Sequence, residues 1–264
     1  MSYIQALIIA IIEGITEFLP ISSTAHMKLA NPILHISETP FINLFEVVIQ
    51  LAAILSVVVM YWKKFIDLKN LAFYFKLVVA MIPALVLGVL LKKHIDSALS
   101  NLTFISCVMI VGGIILLFID KIFVTHTVVE EEKITYRQSF IIGCFQSLSI
   151  IFPGLSRSAA TIIGGMSQKL TRKLAAEFSF FLAVPTMFAA SVKSFWDVYK
   201  ENPEVLIKDN MSILLLGGVV SFIVALLAVK FFISFITKHG FRIFGWYRIV
   251  AGISFLIYLH YFMN

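Results

Sequence analysis

The stretch Glu13-Gly14-Ile15-Thr16-Glu17-Phe18-Leu19-Pro20-Ile21-Ser22-Ser23-Thr24-Ala25-His26 decides how this chain is read. It lies inside an apolar helix pattern over about 3–34, carries two carboxylates four residues apart, and is broken by Pro20 ahead of a run of hydroxyl residues. A second apolar segment, over about 138–168, is broken in the same way at Phe152-Pro153-Gly154-Leu155-Ser156-Arg157-Ser158. Neither half of either segment reaches the roughly 17–25 residues needed to cross about 30 Å of hydrocarbon. A helix broken at membrane depth is tolerated only where its backbone is buried in protein or lines a cavity. Both segments are therefore predicted to be re-entrant helix–loop–helix elements whose tips meet near the midplane.

The rest of the chain supplies the surrounding solvent. Of 264 residues, 60% are hydrophobic and only 14% are charged, where soluble domains carry roughly 25% charge; the mean hydropathy is +0.97. Long apolar segments at about 42–61, 72–91, 103–120, 174–196, 212–236 and 244–262 each have the length of a spanning helix. The predicted fold class is thus an all-α polytopic membrane protein with about six transmembrane helices and two re-entrant elements. The halves echo each other: Ile110-Val111-Gly112-Gly113-Ile114 returns as Ile249-Val250-Ala251-Gly252-Ile253, Glu46 as Glu177 and Pro20 as Pro153. Three spans per half is an odd number, so the second half enters from the opposite side. This predicts an inverted-topology repeat within one membrane domain, 1–264, with repeat one at about 1–125 and repeat two at about 135–264; such repeats place sites at their interface.

The net charge of +6 reads as basic cytoplasmic loops, not as nucleic-acid binding, because no basic run is interleaved with exposed aromatics. Alternating the spans puts Lys63, Lys64, Lys69, Lys121, Lys133, Arg137, Lys169, Arg172, Lys173, Lys238 and Arg242 on one face, the expected cytoplasmic one. Lys28, Lys92, Lys93, Lys200 and Lys208 fall on the other. Cys107 and Cys144 lie in apolar stretches and imply neither a disulfide framework nor a metal site. Residues 1–12 lack a basic region, so no cleavable signal peptide is expected.

Ionisable groups inside apolar segments are costly and mark functional sites by default. Glu13 and Glu17, at i and i+4, share one face of the incoming half-helix. Like charges so close in low dielectric need a shared proton or a cation, and a hard divalent cation such as Mg or Ca suits carboxylate and phosphate oxygens. Ser22, Ser23 and Thr24 open the returning half-helix, where free N–H groups favour a phosphate. His26, on its first turn, lies within reach of a hydroxyl, the pattern of an activated nucleophile. N-capping alone accounts for the hydroxyls but not for two carboxylates and a histidine beside them. In the second break, Arg157 matches phosphate bidentately and Gly154 permits close backbone approach, with Ser156 and Thr161 nearby. Glu46 with Gln50, and Glu177 with Ser179, fit support of the two loops as well as they fit chemistry. His94, His126 and His260 fall near span ends, where they are expected to be solvated.

At these clusters the sequence resembles the bacterial undecaprenyl-diphosphate phosphatase family, the type associated with bacitracin resistance. Phe45-Glu46-Val47-Val48-Ile49-Gln50 and Glu177-Phe178-Ser179-Phe180 extend the match to essentially the whole chain. Ala25 stands where many members have Gly. The resemblance implies hydrolysis of undecaprenyl diphosphate to the monophosphate carrier lipid, dependence on a divalent cation, and a site opening to the outer face of the inner membrane. It carries Glu13, Glu17, Ser23, His26 and Arg157 over as functional positions, with Ser23 competing with His26 as nucleophile. Together with the reading of the residues above, the expected roles are Ser23, His26, Glu17 and Arg157 as catalytic, Ser22, Thr24, Gly154, Ser156, Arg157 and Thr161 as substrate-binding, and Glu13 with Glu17 as the metal carboxylates. The expected partners are the lipid substrate and the bilayer, no nucleic acid, and an assembly left open to a homodimer. A transporter or flippase is the rival, because inverted repeats with broken helices are frequent among transporters; it would not need a nucleophile, a base and a phosphate clamp together. The phosphatidic-acid type of phosphatase is excluded, since no histidine follows Ser156-Arg157 until His239.

Overall fold

The computed structural model describes residues 1–66, 71–205 and 208–262; Lys69, assigned above to the basic face, lies outside the described residues. The chain is helical: α1 (Tyr3–Thr16), α2 (Ser23–Ile33), α3 (Pro40–Met60), α4 (Trp62–Ile66), α5 (Leu71–Leu90), α6 (Lys92–Ser100), α7 (Leu102–Ile122), α8 (Tyr136–Ile151), α9 (Arg157–Ser167), α10 (Arg172–Glu201), α11 (Lys208–His239) and α12 (Arg242–Phe262). Among the described residues six helices are long and apolar enough to cross a membrane: α3, α5, α7, α10, α11 and α12. They match the six apolar segments of the sequence. The short helices α4 and α6 were not anticipated; they carry Lys63 with Lys64 and Lys92 with Lys93 at the ends of spans, where a long basic side chain keeps its stem on apolar surface and its head in water.

The two broken segments share one design. α1 and α8 each begin with a reciprocal cap, Ser2 with Gln5 and Thr135 with Gln138, which satisfies two N–H groups that a helix start leaves unpaired. The returning helices are capped by Ser22, whose Oγ accepts from the Ala25 N–H at 3.4 Å, and by Ser156, whose Oγ accepts from the Ala159 N–H at 3.3 Å. Gln5 Nε2 then donates to the Leu34 carbonyl and Gln138 Nε2 to the Gln168 carbonyl, both at 2.9 Å. Each bond fastens the start of the incoming helix to the end of the returning one, so each pair is a hairpin whose open ends adjoin. The backbone repeats the pattern. The non-glycine residues with positive φ among those described are Ser22 (73°), His35 (54°), Ser156 (76°) and Lys169 (66°), two pairs each 134 residues apart (156 − 22 and 169 − 35).

Packing follows the same plan. α1 lies against α11 as α8 lies against α5, and the counterparts α7 and α12 pack on each other, as do α3 and α10. The α7–α12 crossing runs through the repeated glycine motif: a Cβ on Gly113 would meet the Gly245 carbonyl at 2.8 Å, and one on Gly252 the Ser106 carbonyl at 3.0 Å. Small residues allow such close approach where lipid supplies no hydrophobic drive for association. The basic ends also cluster: Arg172 Nε donates to Asp120 at 2.6 Å, the Phe241 N–H donates to the same carboxylate at 2.8 Å, and Lys64 pairs with Glu131.

Gly143 of α8 faces the Ala80 carbonyl of α5 so closely that a Cβ there would overlap it. Gly143→Val is expected to separate the two helices and cost about 1–3 kcal/mol. A melting midpoint in detergent that is unchanged from the wild type would show that this contact is not close-packed.

Candidate active site

The two helix breaks meet. Ser158 Oγ, in the first turn of α9, donates to the Leu19 carbonyl at 2.8 Å, and Phe18 sits edge-on to Phe180 of α10 with ring centroids 5.0 Å apart. Between these contacts Glu17, which ends α1, forms a carboxylate bridge. Its Oε1 accepts from Arg157 Nη2 at 2.6 Å and its Oε2 from Ser23 Oγ at 2.6 Å. One carboxylate thus joins the hydroxyl of the first break to the guanidinium of the second. Arg157 also donates through Nη1 to the Ser179 carbonyl at 3.1 Å, while its Nε–H is buried and has no partner.

Glu17, Ser22, Ser23, Thr24, Gln50, Ser156, Arg157 and Met187 line one small cavity of about 70 Å³. Thr161 and Gly154 lie behind it. Thr161 Oγ1 donates to Ser179 Oγ at 2.6 Å and so steadies the strand of contacts that holds Arg157. Gly154 adopts φ 98° against the Ile105 carbonyl, where a Cβ would come within 2.5 Å; only glycine fits both the dihedral and the space. Glu46 supports the first break from α3, accepting from Asn31 Nδ2 at 2.8 Å, with Lys28 at 3.6 Å from its other oxygen.

His26 is not beside Ser23's hydroxyl proton. Its Nδ1 lies 2.7 Å from the Ser22 carbonyl, which can only accept, so Nδ1 carries the proton. Nε2 therefore accepts, and its partner is the Tyr247 hydroxyl of α12 at 2.8 Å; the two rings are near-parallel at 5.6 Å. The side chain that Ser23's hydroxyl touches is Glu17. His26 instead holds the Ser22 carbonyl, and with it the left-handed turn that presents Ser23.

Glu13 is fully buried and neither of its carboxylate oxygens has a hydrogen-bond partner, one helical turn from Glu17. An unpaired carboxylate so placed costs several kcal/mol unless it gains a proton or a cation. Among the described residues no cluster of three or more His, Cys, Asp or Glu is arranged to hold a metal. The donor set therefore fits a cation completed by substrate oxygens and water, as Mg²⁺ is commonly held, and does not fit a preformed protein cage.

Comparison with known proteins places this geometry. The family model described as bacitracin resistance protein BacA matches residues 6–254. The chain belongs to that family. It is 54% identical to an undecaprenyl-diphosphatase of Flavobacterium johnsoniae over the whole chain and 98% of that protein. It is 46% identical to one of Porphyromonas gingivalis over 96% of this chain and 95% of that one. It is 43% identical to one of Aquifex aeolicus over 98% of both. With six spanning helices and bacterial relatives, it is a multi-pass membrane protein.

Sequence reasoning missed Arg248, the largest fully buried side chain, with no exposed surface. Its Nη1 donates to the Pro20 carbonyl at 3.0 Å and the Leu155 carbonyl at 2.8 Å, its Nη2 to Gly154 at 2.8 Å, and its Nε to Met109 at 3.2 Å. Carbonyls freed by both breaks end on one guanidinium. The available signal was a lone arginine inside the apolar segment 244–262, which the cost of charge in a span should have flagged. Tyr247, beside it, was missed too.

Arg248→Met would strand the Pro20, Gly154 and Leu155 carbonyls at about 1–3 kcal/mol each. The expected result is a steep fall in the detergent melting midpoint, with Arg248→Lys intermediate because an ammonium supplies fewer, unforked donors. Equal midpoints for wild type and Arg248→Met would show that these bonds do not hold the breaks.

Proposed function

We propose that this protein hydrolyses undecaprenyl diphosphate to undecaprenyl phosphate and inorganic phosphate, returning the lipid carrier to cell-wall synthesis. The observation that carries this reading is the Glu17 carboxylate shared by Ser23 and Arg157: a hydroxyl, a base in contact with it and a phosphate-matching cation meet in one cleft. The relatives named undecaprenyl-diphosphatase supply the substrate.

Ser23 Oγ attacks the terminal phosphorus as Glu17 takes its proton. The bond from that phosphorus to the bridging oxygen breaks, and undecaprenyl phosphate leaves. Water then cleaves the phosphoseryl bond and releases phosphate. Arg157 bears the charge on the phosphoryl oxygens, using the Nε–H that has no protein partner. As the guanidinium turns to the phosphate it leaves Glu17, freeing that carboxylate for the proton. Phosphoryl transfer is catalysed mostly by positioning and charge neutralisation, and the α2 N-terminus adds unpaired N–H groups. Ser22, Thr24 and Ser156 complete the wall facing the head. Met187 is the wall able to yield as a diphosphate enters, because its side chain is unbranched and flexible. A divalent cation held by Glu13 and Glu17 would supply further neutralisation at the phosphoryl oxygens.

The frame is an inverted-topology repeat in the inner membrane with α1–α2 and α8–α9 as re-entrant elements. It is supported by the hairpin-closing Gln5 and Gln138 bonds, the 134-residue spacing of the positive-φ pairs and the packing of like on like at α3–α10 and α7–α12. The basic ends carrying Lys63, Lys121, Lys169, Arg172 and Arg242 face the cytoplasm under the positive-inside rule, which turns the mouth of α1–α2 and the cleft outward.

Phosphate release from undecaprenyl diphosphate by the purified protein, with and without chelator, tests the reading. Glu17→Gln is expected to lose about 10²–10⁴-fold in rate, the weight of a general base, and added Mg²⁺ should not restore it. Glu13→Gln should recover in part at raised Mg²⁺. Full activity of Glu17→Gln in chelator would rule out both roles. Sidedness is tested in cells after replacing Cys107 and Cys144: a cysteine at position 93 should react with an impermeant reagent from outside, and one at position 63 should not. The reverse pattern would turn the site toward the cytoplasm.

A further inference from the structure

Hydrolysis through a phosphoserine has two steps, and the groups that meet at Glu17 serve the first. In the second, water must displace Ser23 from phosphorus. Phosphoryl transfer sets the attacking and leaving oxygens roughly in line, so this water stands across the phosphorus from Ser23. Glu17 touches Ser23 Oγ at 2.6 Å, on the side of the leaving oxygen, where it can return the proton it took. It is not placed to hold the water as well. Glu13 is buried one turn back on α1 and is not among the cavity's walls. The walls that come from outside the first break are Gln50 of α3, Ser156 and Arg157 of α9, and Met187 of α10. To aim a water, one of them must accept a hydrogen bond from it. Arg157 has donors only, and the Met187 thioether is a weak acceptor. Ser156 Oγ already accepts from the Ala159 N–H at 3.3 Å and pairs with Ser158 Oγ at 3.0 Å. Gln50 remains. Its amide offers an acceptor and two donors and has no hydrogen-bond partner among the described residues.

We infer that Gln50 holds and aims the water that hydrolyses the phosphoserine. The inference rests on the phosphatase reading and adds a catalytic residue to its second step. The helix around Gln50 is fastened on both sides. Ser221 Oγ of α11 donates to the Ile49 carbonyl at 2.9 Å, and Glu46, one turn earlier, accepts from Asn31 of α2 at 2.8 Å. The backbone is thus fixed while the amide is left free. Nor does Gln50 belong to what the two halves share: four residues after Glu46 stands Gln50, and four after Glu177 stands Phe181, buried in the apolar core. In the step itself, Gln50 Oε1 accepts from the water and Nε2 donates to a phosphoryl oxygen. The bond from the water oxygen to phosphorus forms as the bond from phosphorus to Ser23 Oγ breaks. Ser23 Oγ takes the proton that Glu17 held, and one water proton passes to a phosphoryl oxygen. Dihydrogen phosphate leaves, and Glu17 is a carboxylate again. A neutral amide suffices, because positioning carries most of the catalysis in such transfers.

The test uses the full-length protein in detergent with undecaprenyl diphosphate radiolabelled in its terminal phosphate. Gln50→Met keeps the length and flexibility of the side chain and removes the amide. Its kcat is expected to fall about 10²-fold, the cost of a misplaced reactant, and its KM to fall with it. The ratio kcat/KM should stay at the wild-type value, because it ends with the departure of undecaprenyl phosphate, before the water acts. A burst of undecaprenyl phosphate, one per protein, should precede the slow turnover. Acid quenching should find label on Ser23 in most molecules of the variant and in few of the wild type. Gln50→Glu, which retains an acceptor, should turn over faster than Gln50→Met and carry less label. A Gln50→Met protein with the wild-type kcat overturns the inference. So does one whose kcat/KM falls with kcat and which carries no label, since Gln50 would then serve the first step or the fold. A wild type that releases no phosphate, or a Ser23→Ala protein that stays fully active, overturns the phosphoserine chemistry itself and this assignment with it.

Discussion

The polar cleft of this protein depends on how two broken helices keep their backbones satisfied inside an apolar body. A proline break at membrane depth frees carbonyl groups that no water reaches, and an unpaired carbonyl there costs as much as a lost hydrogen bond. Arg248 answers this for both breaks at once, spending its donors on Pro20 from the first and on Gly154 and Leu155 from the second. One rigid fork thus ties both tips to α12, beside the direct Ser158–Leu19 and Arg157–Glu17 contacts between them. Held in this way, the tips bring a carboxylate on one to a guanidinium on the other.

The two helix breaks are built alike, and the side chains they carry are not. Ser22 and Ser156 take the same strained dihedral and the same capping bond, so both tips present the start of a helix toward the meeting point. The first tip carries Glu17, Ser23 and His26; the second carries Arg157. Strain of this kind persists where the surroundings over-determine it, and at Ser22 the surroundings include His26 Nδ1–H on its carbonyl, held in turn by Tyr247. The two turns thus place the Ser23 hydroxyl on one side of a shared cavity and the Arg157 guanidinium on the other, the arrangement that the proposed reaction uses.

The spans and breaks were legible because lipid imposes a length and forbids an unpaired backbone, and both constraints leave marks in one dimension. The six apolar segments and the two proline breaks could be read directly, and so could Arg157 as a phosphate-matching group, but not its pairing with Glu17. Arg248 was not legible as a clamp, because its partners are carbonyls and a carbonyl has no letter in the sequence. Tyr247 lies 221 residues from His26, and nothing in either segment announces the other. The choice between Ser23–His26 and Ser23–Glu17 as the hydroxyl–base pair was likewise invisible, since both partners fall within a turn or two of Ser23 and only the left-handed turn at Ser22 aims the hydroxyl at Glu17.

The resting arrangement also explains how a buried arginine and a buried carboxylate tolerate the absence of substrate. Arg157 and Glu17 neutralise each other across the tips, and side chains this hidden, 14% and 6% exposed, would be costly apart. A phosphate that enters does not meet an empty positive site; it replaces one anion by another on the same guanidinium. The cost of desolvating the head is offset by the pair already being out of water, and the displaced carboxylate is left beside the one hydroxyl it already holds. In the proposed reaction substrate binding and base release are one event, because the same guanidinium serves both anions.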